Sequence, residues 1–231
     1  VSAQVDTQSN AQLGCIFDMD GTLLDSMGVW EQVDIDFFAE RGIELPPDYG
    51  AAVVAMPFDQ IAQYTIDRFK LPDTAAQIMD EWNSMVRYAY THTVKVKPHA
   101  VEYLHALKES GVGLAVATSL PPSLRDPALE HAGIGDLFDV LCSTDDVANG
   151  KESADIYLLA ASKLGVSARH SVVFEDILTG IRSAKAAGMR AWGVYDESSA
   201  QDWRQISALA DGAITDFSQA PRLWEELSIK A

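Results

Sequence analysis

At 231 residues, 48% apolar and 22% charged, the chain can bury a sizeable core in one domain or two. A formal net charge of −17 argues against nucleic acid as the main partner, because phosphate-backbone binding needs clustered Lys and Arg. No apolar run is long enough to span a bilayer, so no membrane partner is expected either. The same charge means that any anionic ligand needs a local cation to overcome the global field.

In chain order, residues 1–12 are polar, with no basic region and no apolar signal core. They read as a frayed lead or an artificial extension, and the expected location is the cytoplasm. Next comes a short apolar run, Gly-Cys-Ile-Phe, that stops abruptly at Asp18-Met-Asp20-Gly-Thr-Leu-Leu-Asp-Ser26. It reads as a buried strand. Carboxylates at the end of such a strand are costly unless water, a metal or a ligand receives them. Between Asp25 and Pro98 the pattern is helical. Trp30, Val33, Phe37 and Phe38 share one spacing, then Phe58, Ile61, Ala62, Thr65 and Phe69, then Ile78, Trp82, Met85, Val86 and Ala89. These stripes predict the core of a small helical bundle, with a core position favoured for Trp30.

From about residue 98 strands and helices alternate. Val112–Thr118 is an expected strand, Pro122–Ala132 a helix stopped at Gly133, and Val140–Ser143 a strand. Ala154–Leu164 is a helix stopped at Gly165, Ser171–Phe174 a strand, and Ile177–Ala187 a helix ending at Gly188. Ala191–Val194 and Gly212–Ile214 are strands, and a helix near Ser218–Leu227 closes the chain. This alternation implies a doubly wound parallel sheet, an α/β fold with helices on both faces. Cys15 and Cys142 are far apart in sequence and lie in or beside apolar runs, so they suggest neither a disulfide framework nor a zinc site. In open α/β sheets ligands bind beyond the carboxyl ends of the strands. That places Asp18 and Asp20 at the mouth of a site.

Three later segments have the same character. Leu114-Ala-Val-Ala-Thr-Ser119 is a strand ending in hydroxyls. Asn149-Gly-Lys-Glu-Ser-Ala-Asp-Ile-Tyr157 sets Lys151 just before a helix, where it is poorly placed for that helix's own dipole but well placed for a phosphoryl group. Val172-Val-Phe-Glu-Asp-Ile-Leu-Thr-Gly180 is again a strand ending in acids. With Phe17-Asp-Met-Asp-Gly-Thr-Leu-Leu-Asp-Ser26, these segments in this order resemble the four motifs of the haloacid dehalogenase superfamily of phosphohydrolases. The resemblance runs from about residue 13 to about residue 220. It implies a Rossmann-like core over 13–27 and 96–231, with an inserted α-helical cap over 28–95.

The resemblance also implies roles. Asp18 would be the nucleophile that forms an aspartyl-phosphate. Asp20 would protonate the leaving oxygen and then activate water, which requires an environment unlike that of Asp18. Thr118 and the backbone N–H of Ser119 would bind phosphoryl oxygens together with Lys151. The metal would be Mg²⁺, held by Asp18, the carbonyl of Asp20 and Asp176, with Glu175 acting through water or by orienting the shell. Four acids and one Lys would repel a dianionic substrate. With Mg²⁺ bound and Asp20 protonated the pocket approaches neutrality. Glu152 stands where the family usually has Pro, which leaves the stiffness of the Lys151 loop open.

The expected activity is a Mg²⁺-dependent phosphatase acting on a small phosphorylated metabolite, with monomer as the default state. A mutase of the β-phosphoglucomutase type is the alternative. It is weakened because Trp30 stands where that mutase has His, and Ala55-Met-Pro-Phe58 offers no cation for a second phosphate. A phosphonate-cleaving enzyme or true dehalogenase would lack Asp20. A non-catalytic binding or regulatory protein on the same fold is a further alternative.

Overall fold

The structure, a computed structural model, describes residues 13–53, 56, 58–223 and 225. The lead expected over 1–12, Ala55 and Pro57 of the Ala55–Phe58 segment, and the end of the helix expected near Ser218–Leu227 lie outside the described residues. The chain divides into two compact units, one running through Asp25 and resuming at Lys95, the other spanning Ser26–Val94.

In the first unit, β1 (Gly14–Phe17) leads to a two-residue strand, β2 (Leu24–Asp25). The second unit holds α1 (Val29–Glu40), α2 (Tyr49–Val53), α3 (Phe58–Phe69) and α4 (Ala75–His92). Thr74 starts α4 with a capping box shared with Gln77, which satisfies two otherwise unpaired donors of the first turn. Val33, Phe37, Phe38, Ile78, Trp82 and Val86 are buried, as their spacing requires. Trp30 is the exception: it is 47% exposed and meets the edge of Phe58 at 5.7 Å. The core position expected for it is corrected. It stands in the first turn of α1, where its ring reaches past the interhelical core that Phe37 and Trp82 fill.

The chain re-enters the first unit through β3 (Lys95–Val96), which pairs antiparallel with β2. Then follow α5 (Ala100–Glu109), β4 (Gly113–Thr118), α6 (Pro122–His131), β5 (Val140–Ser143), α7 (Asp155–Leu164), β6 (Ser171–Glu175), α8 (Leu178–Ala186), β7 (Arg190–Val194), α9 (Trp203–Leu209) and β8 (Gly212–Ile214). Of the helix expected near Ser218–Leu227, the described residues show a 3-10 turn at Phe217–Gln219 and, after Pro221, helical backbone at Leu223 and Glu225. Pro221 explains the break between them, because the residue before a proline is pushed out of helical geometry.

The main sheet has the order β5-β4-β1-β6-β7-β8, and every pairing is parallel. Its three central strands are buried along their whole length, which is why they read as unbroken apolar runs rather than as alternation. Successive residues still face opposite layers. Ile16, Ala115 and Val173 pack with Ile156, Ala160 and Ile181 of α7 and α8. On the other face Phe17 stacks on Phe174 at 4.7 Å, under Tyr103 of α5 and Phe217. The chain leaves β1 for β4 and β5 on one side, then crosses to β6 on the other. The carboxyl ends of β1, β4 and β6 are thus neighbours at the point where the winding reverses, the usual place for a ligand crevice in such sheets.

Candidate active site

Three strand ends supply the acids and hydroxyls of the site. Asp18 follows β1 directly, and its N–H donates to the carbonyl of Phe174 in β6 at 3.1 Å. The register Phe17↔Phe174 therefore sets Asp18 beside Glu175, the last residue of β6, and Asp176, the next. Asp18, Glu175 and Asp176 are all buried, and one oxygen of each lies within 4.8 Å of the others. Lys151 is buried among them. Its Nζ donates to Asp18 Oδ1 and to Glu175 Oε1, the latter at 2.5 Å. An ammonium has three protons, so a third remains to be donated elsewhere.

Glu175 is fully engaged. Its Oε1 accepts from Lys151 and from the Tyr157 hydroxyl at 2.8 Å, and its Oε2 from the backbone N–H groups of Asp176 at 2.9 Å and Ile177 at 3.1 Å. Burial alone would raise its carboxyl, but the charge and hydrogen bond of Lys151 outweigh it and hold Glu175 below its ordinary value. Asp176 is the opposite case. The Thr22 hydroxyl donates to its Oδ1 at 3.4 Å, while its Oδ2 is buried without a hydrogen-bond partner. Burial, followed by the charges of Asp18 and Glu175, pushes its carboxyl up to about 9. Burial also drives Asp18 up to about 7, against the pull of Lys151 and with help from Glu175 and Asp20. For Lys151 burial would lower the ammonium, but Asp18 and Glu175 more than reverse this and hold it charged. Two carboxyls whose ionisation is disfavoured, one of them with an unpartnered buried oxygen, describe a cluster short of positive charge. The donor set, all oxygen, fits a hard divalent cation.

The other expected residues are placed as follows. Thr118 ends β4, next to β1, and is buried. Its Oγ1 accepts from the Leu120 N–H at 3.1 Å, which leaves the hydroxyl proton to be donated elsewhere. Ser119, the next residue, is exposed. Asp20 is half-buried in the turn after Asp18, and its backbone bridges to Leu24. The Lys151 loop, which lacks the usual Pro, is fastened by side chains instead. Glu152 accepts from the Gly150 N–H at 3.1 Å, Asn149 and Ser153 both donate to Asp155, and the Ser183 hydroxyl holds the Lys151 carbonyl at 2.6 Å.

Tyr157, Ser183, Thr22 and Gly180 contribute without having been singled out from the sequence. A signal existed for Tyr157, a hydroxyl-bearing ring within the apolar stretch Ile156–Ala161, six residues after Lys151. Gly180 also has a reason to be glycine: a Cβ there would lie 2.6 Å from both Glu175 Oε1 and the Tyr157 hydroxyl. Ser183 and Thr22 carried no such signal.

Residues 15–194 match the family of haloacid dehalogenase-like hydrolases. The chain belongs to that family. Among its relatives, a phosphorylated carbohydrates phosphatase of Thermotoga maritima is 28% identical over 78% of this chain and 83% of its own. The fructose-1-phosphate phosphatase YqaB of Escherichia coli K12 is 30% identical over 77% of this chain and 94% of its own. A haloacid dehalogenase family hydrolase from Deinococcus radiodurans R1, solved with bound phosphate and sodium, is 25% identical. It superposes with a TM-score of 0.72 over 95% of this chain and 98% of that one. As a haloacid dehalogenase-like hydrolase of the phosphatase branch, the chain is a phosphoric monoester hydrolase. Among the described residues no helix is long and apolar enough to cross a membrane.

Proposed function

We propose that this phosphatase is Mg²⁺-dependent and hydrolyses a small phosphorylated metabolite, of the phosphorylated-carbohydrate class on which its relatives act, through an aspartyl-phosphate on Asp18. The observation that carries the reading is the dry cluster at the strand ends: Asp18 held by Lys151, beside an Asp176 oxygen with no partner. Asp18, Asp176 and the backbone carbonyl of Asp20 would hold the metal, with Glu175 fixing Lys151 and supporting the shell. When bound, the metal supplies the positive charge that lets these carboxyls ionise and that attracts an anionic ester.

The chain's own residues do the rest. Lys151 orients the Asp18 carboxylate and offers its third proton to the phosphoryl group, and the Thr118 hydroxyl and Ser119 N–H offer two further donors. The Asp18 oxygen forms a bond to phosphorus as the ester oxygen leaves. Asp20 gives that oxygen its proton, then takes one from the water that hydrolyses the acyl phosphate. The 28–95 insertion is assigned as the cap, a reading that the compact unit Ser26–Val94 supports. A cytoplasmic location fits two buried cysteines, Cys15 and Cys142, that are not joined in a disulfide.

The test is a screen of the purified chain with Mg²⁺ against phosphorylated sugars and polyols, with an acid-quench assay for phosphoenzyme. Asp18→Asn should leave a folded protein with no phosphoenzyme and no turnover. Activity within tenfold of the parent would remove the covalent mechanism. β-Glucose 1-phosphate with a trace of the 1,6-bisphosphate should give inorganic phosphate or nothing. Faster glucose 6-phosphate formation would instead establish the mutase.

A further inference from the structure

We infer, resting on the acid–base role proposed for Asp20, that the Lys97–Asp196 ion pair positions the turn carrying Asp20. The turn is tightly closed on itself. The Met19 carbonyl accepts the N–H groups of Thr22, Leu23 and Leu24 at 3.2, 2.9 and 2.8 Å, and the Gly21 N–H donates to the Leu24 carbonyl at 2.9 Å. One end of this turn is fixed to β1. The other end is held by the returning chain through the β2–β3 pairs Leu24↔Val96 and Asp25↔Lys95 and by the Lys97 N–H, which donates to the Leu23 carbonyl at 2.8 Å. A ladder of two residues is weak alone, so it orients the turn only as firmly as the returning strand is itself held.

Lys97 holds that strand. Its Nζ donates to Asp196 Oδ2 at 2.6 Å and to the Tyr195 carbonyl at 3.3 Å. The Lys97 and Asp196 side chains are 15% and 6% exposed. Asp196 is itself anchored, since its Oδ1 accepts from the N–H and hydroxyl of Ser198 at 2.9 and 2.6 Å. The Tyr195 N–H joins β8 at the Ile214 carbonyl at 2.8 Å. The pair therefore ties the strand behind the Asp20 turn to the carboxyl end of β7. Breaking a buried pair leaves an uncompensated charge that must find water, and the strand carrying Lys97 must shift for that to happen. Asp18 stays tied to Phe174 and Lys151, whereas the turn beyond it has only the long Thr22–Asp176 contact at 3.4 Å on that side, so the displacement falls on the turn that carries Asp20 rather than on the nucleophile.

A selective fault at the acid has a signature that loss of stability does not share. Phenyl phosphate needs a proton on its departing oxygen more than p-nitrophenyl phosphate does. The test measures release of the two phenols in the first turnover, and in steady state, by the full chain with saturating Mg²⁺. Lys97→Met should lower the rate with phenyl phosphate about tenfold more than with p-nitrophenyl phosphate, within the range that general-acid loss can produce. KM should stay within about twofold of the parent, and Lys97→Arg should restore most of the rate. Asp196→Asn keeps an acceptor for Ser198 and should reproduce the bias even where Lys97→Met does not fold. The double variant should be no worse than the singles, because one interaction is lost in each. Asp20→Asn is the control. Bias in Asp20→Asn but equal losses on both substrates in Lys97→Met and Asp196→Asn would overturn the inference alone. No bias in Asp20→Asn would overturn the acid role and the inference with it.

Discussion

Replacing Asp176 by Asn should stabilise the metal-free protein while destroying its use as an enzyme. Asp176 is 1% exposed, its Oδ2 has no partner, and burial with two neighbouring carboxylates lifts its pKa from 3.8 to about 9. At pH 7 the unfolded chain carries this group ionised, whereas the metal-free fold must keep it protonated. Holding a proton about three pH units above the unfolded pKa costs about 4 kcal/mol at most. Relaxation and water entry reduce this, so we expect a gain of about 2–4 kcal/mol for an amide of the same shape. Because the folded pKa is raised, the wild-type contribution is intact below pH 4 and is lost progressively as pH climbs towards 9. The advantage of Asp176→Asn should therefore be near zero at pH 4 and grow with pH. The assay is thermal unfolding in EDTA at pH 5, 7 and 8.5, where a gain of this size raises Tm by roughly 5–15 °C in a chain of this length. Adding Mg²⁺ should raise the wild-type Tm and leave the variant's unchanged. A variant equal to or less stable than wild type in EDTA at pH 8.5 would refute the electrostatic account of the cluster.

The remaining predictions concern the same cluster. Activity should vanish with EDTA and return with Mg²⁺, while Ca²⁺ supports it poorly because its larger, looser shell misplaces the carboxylates. Initial rates across a metal series check this, and full activity in chelator would remove the metal assignment. Gly180→Ala should force a methyl against Glu175 and Tyr157, destabilising the fold by about 1–3 kcal/mol and lowering kcat as Lys151 loses its fixed partner. Denaturant titration and steady-state kinetics read the two effects separately. Apparent Mg²⁺ affinity should rise between pH 6 and 8, because Asp18 and Asp176, raised to about 7 and about 9, must lose protons on binding. Calorimetry in two buffers of different ionisation enthalpy would show the released protons.

Much of this protein is written locally in its sequence. The strands of the main sheet that frame the site are buried on both faces, so they read as unbroken apolar runs, and Val140–Ser143 and Gly212–Ile214 fall where those runs do. Acids at the end of a buried strand are conspicuous because burial makes them costly, and this made Asp18, Glu175 and Asp176 legible as a group. Tertiary structure alone decided what those groups do to one another. The tie from Thr22 to Asp176 spans 154 residues and that from Lys97 to Asp196 spans 99, distances over which no periodicity carries information. It also decided that Glu175 is saturated by four donors while its neighbour Asp176 keeps an unpartnered oxygen, although the two are adjacent in one motif. Trp30 shares the spacing of its buried neighbours and is nevertheless exposed, because spacing fixes the face of a helix but not how far along it the neighbouring helices reach. Local pattern encodes which residues leave water. Which partners they meet there depends on where distant segments are brought, and in this protein that meeting sets the charge of the site.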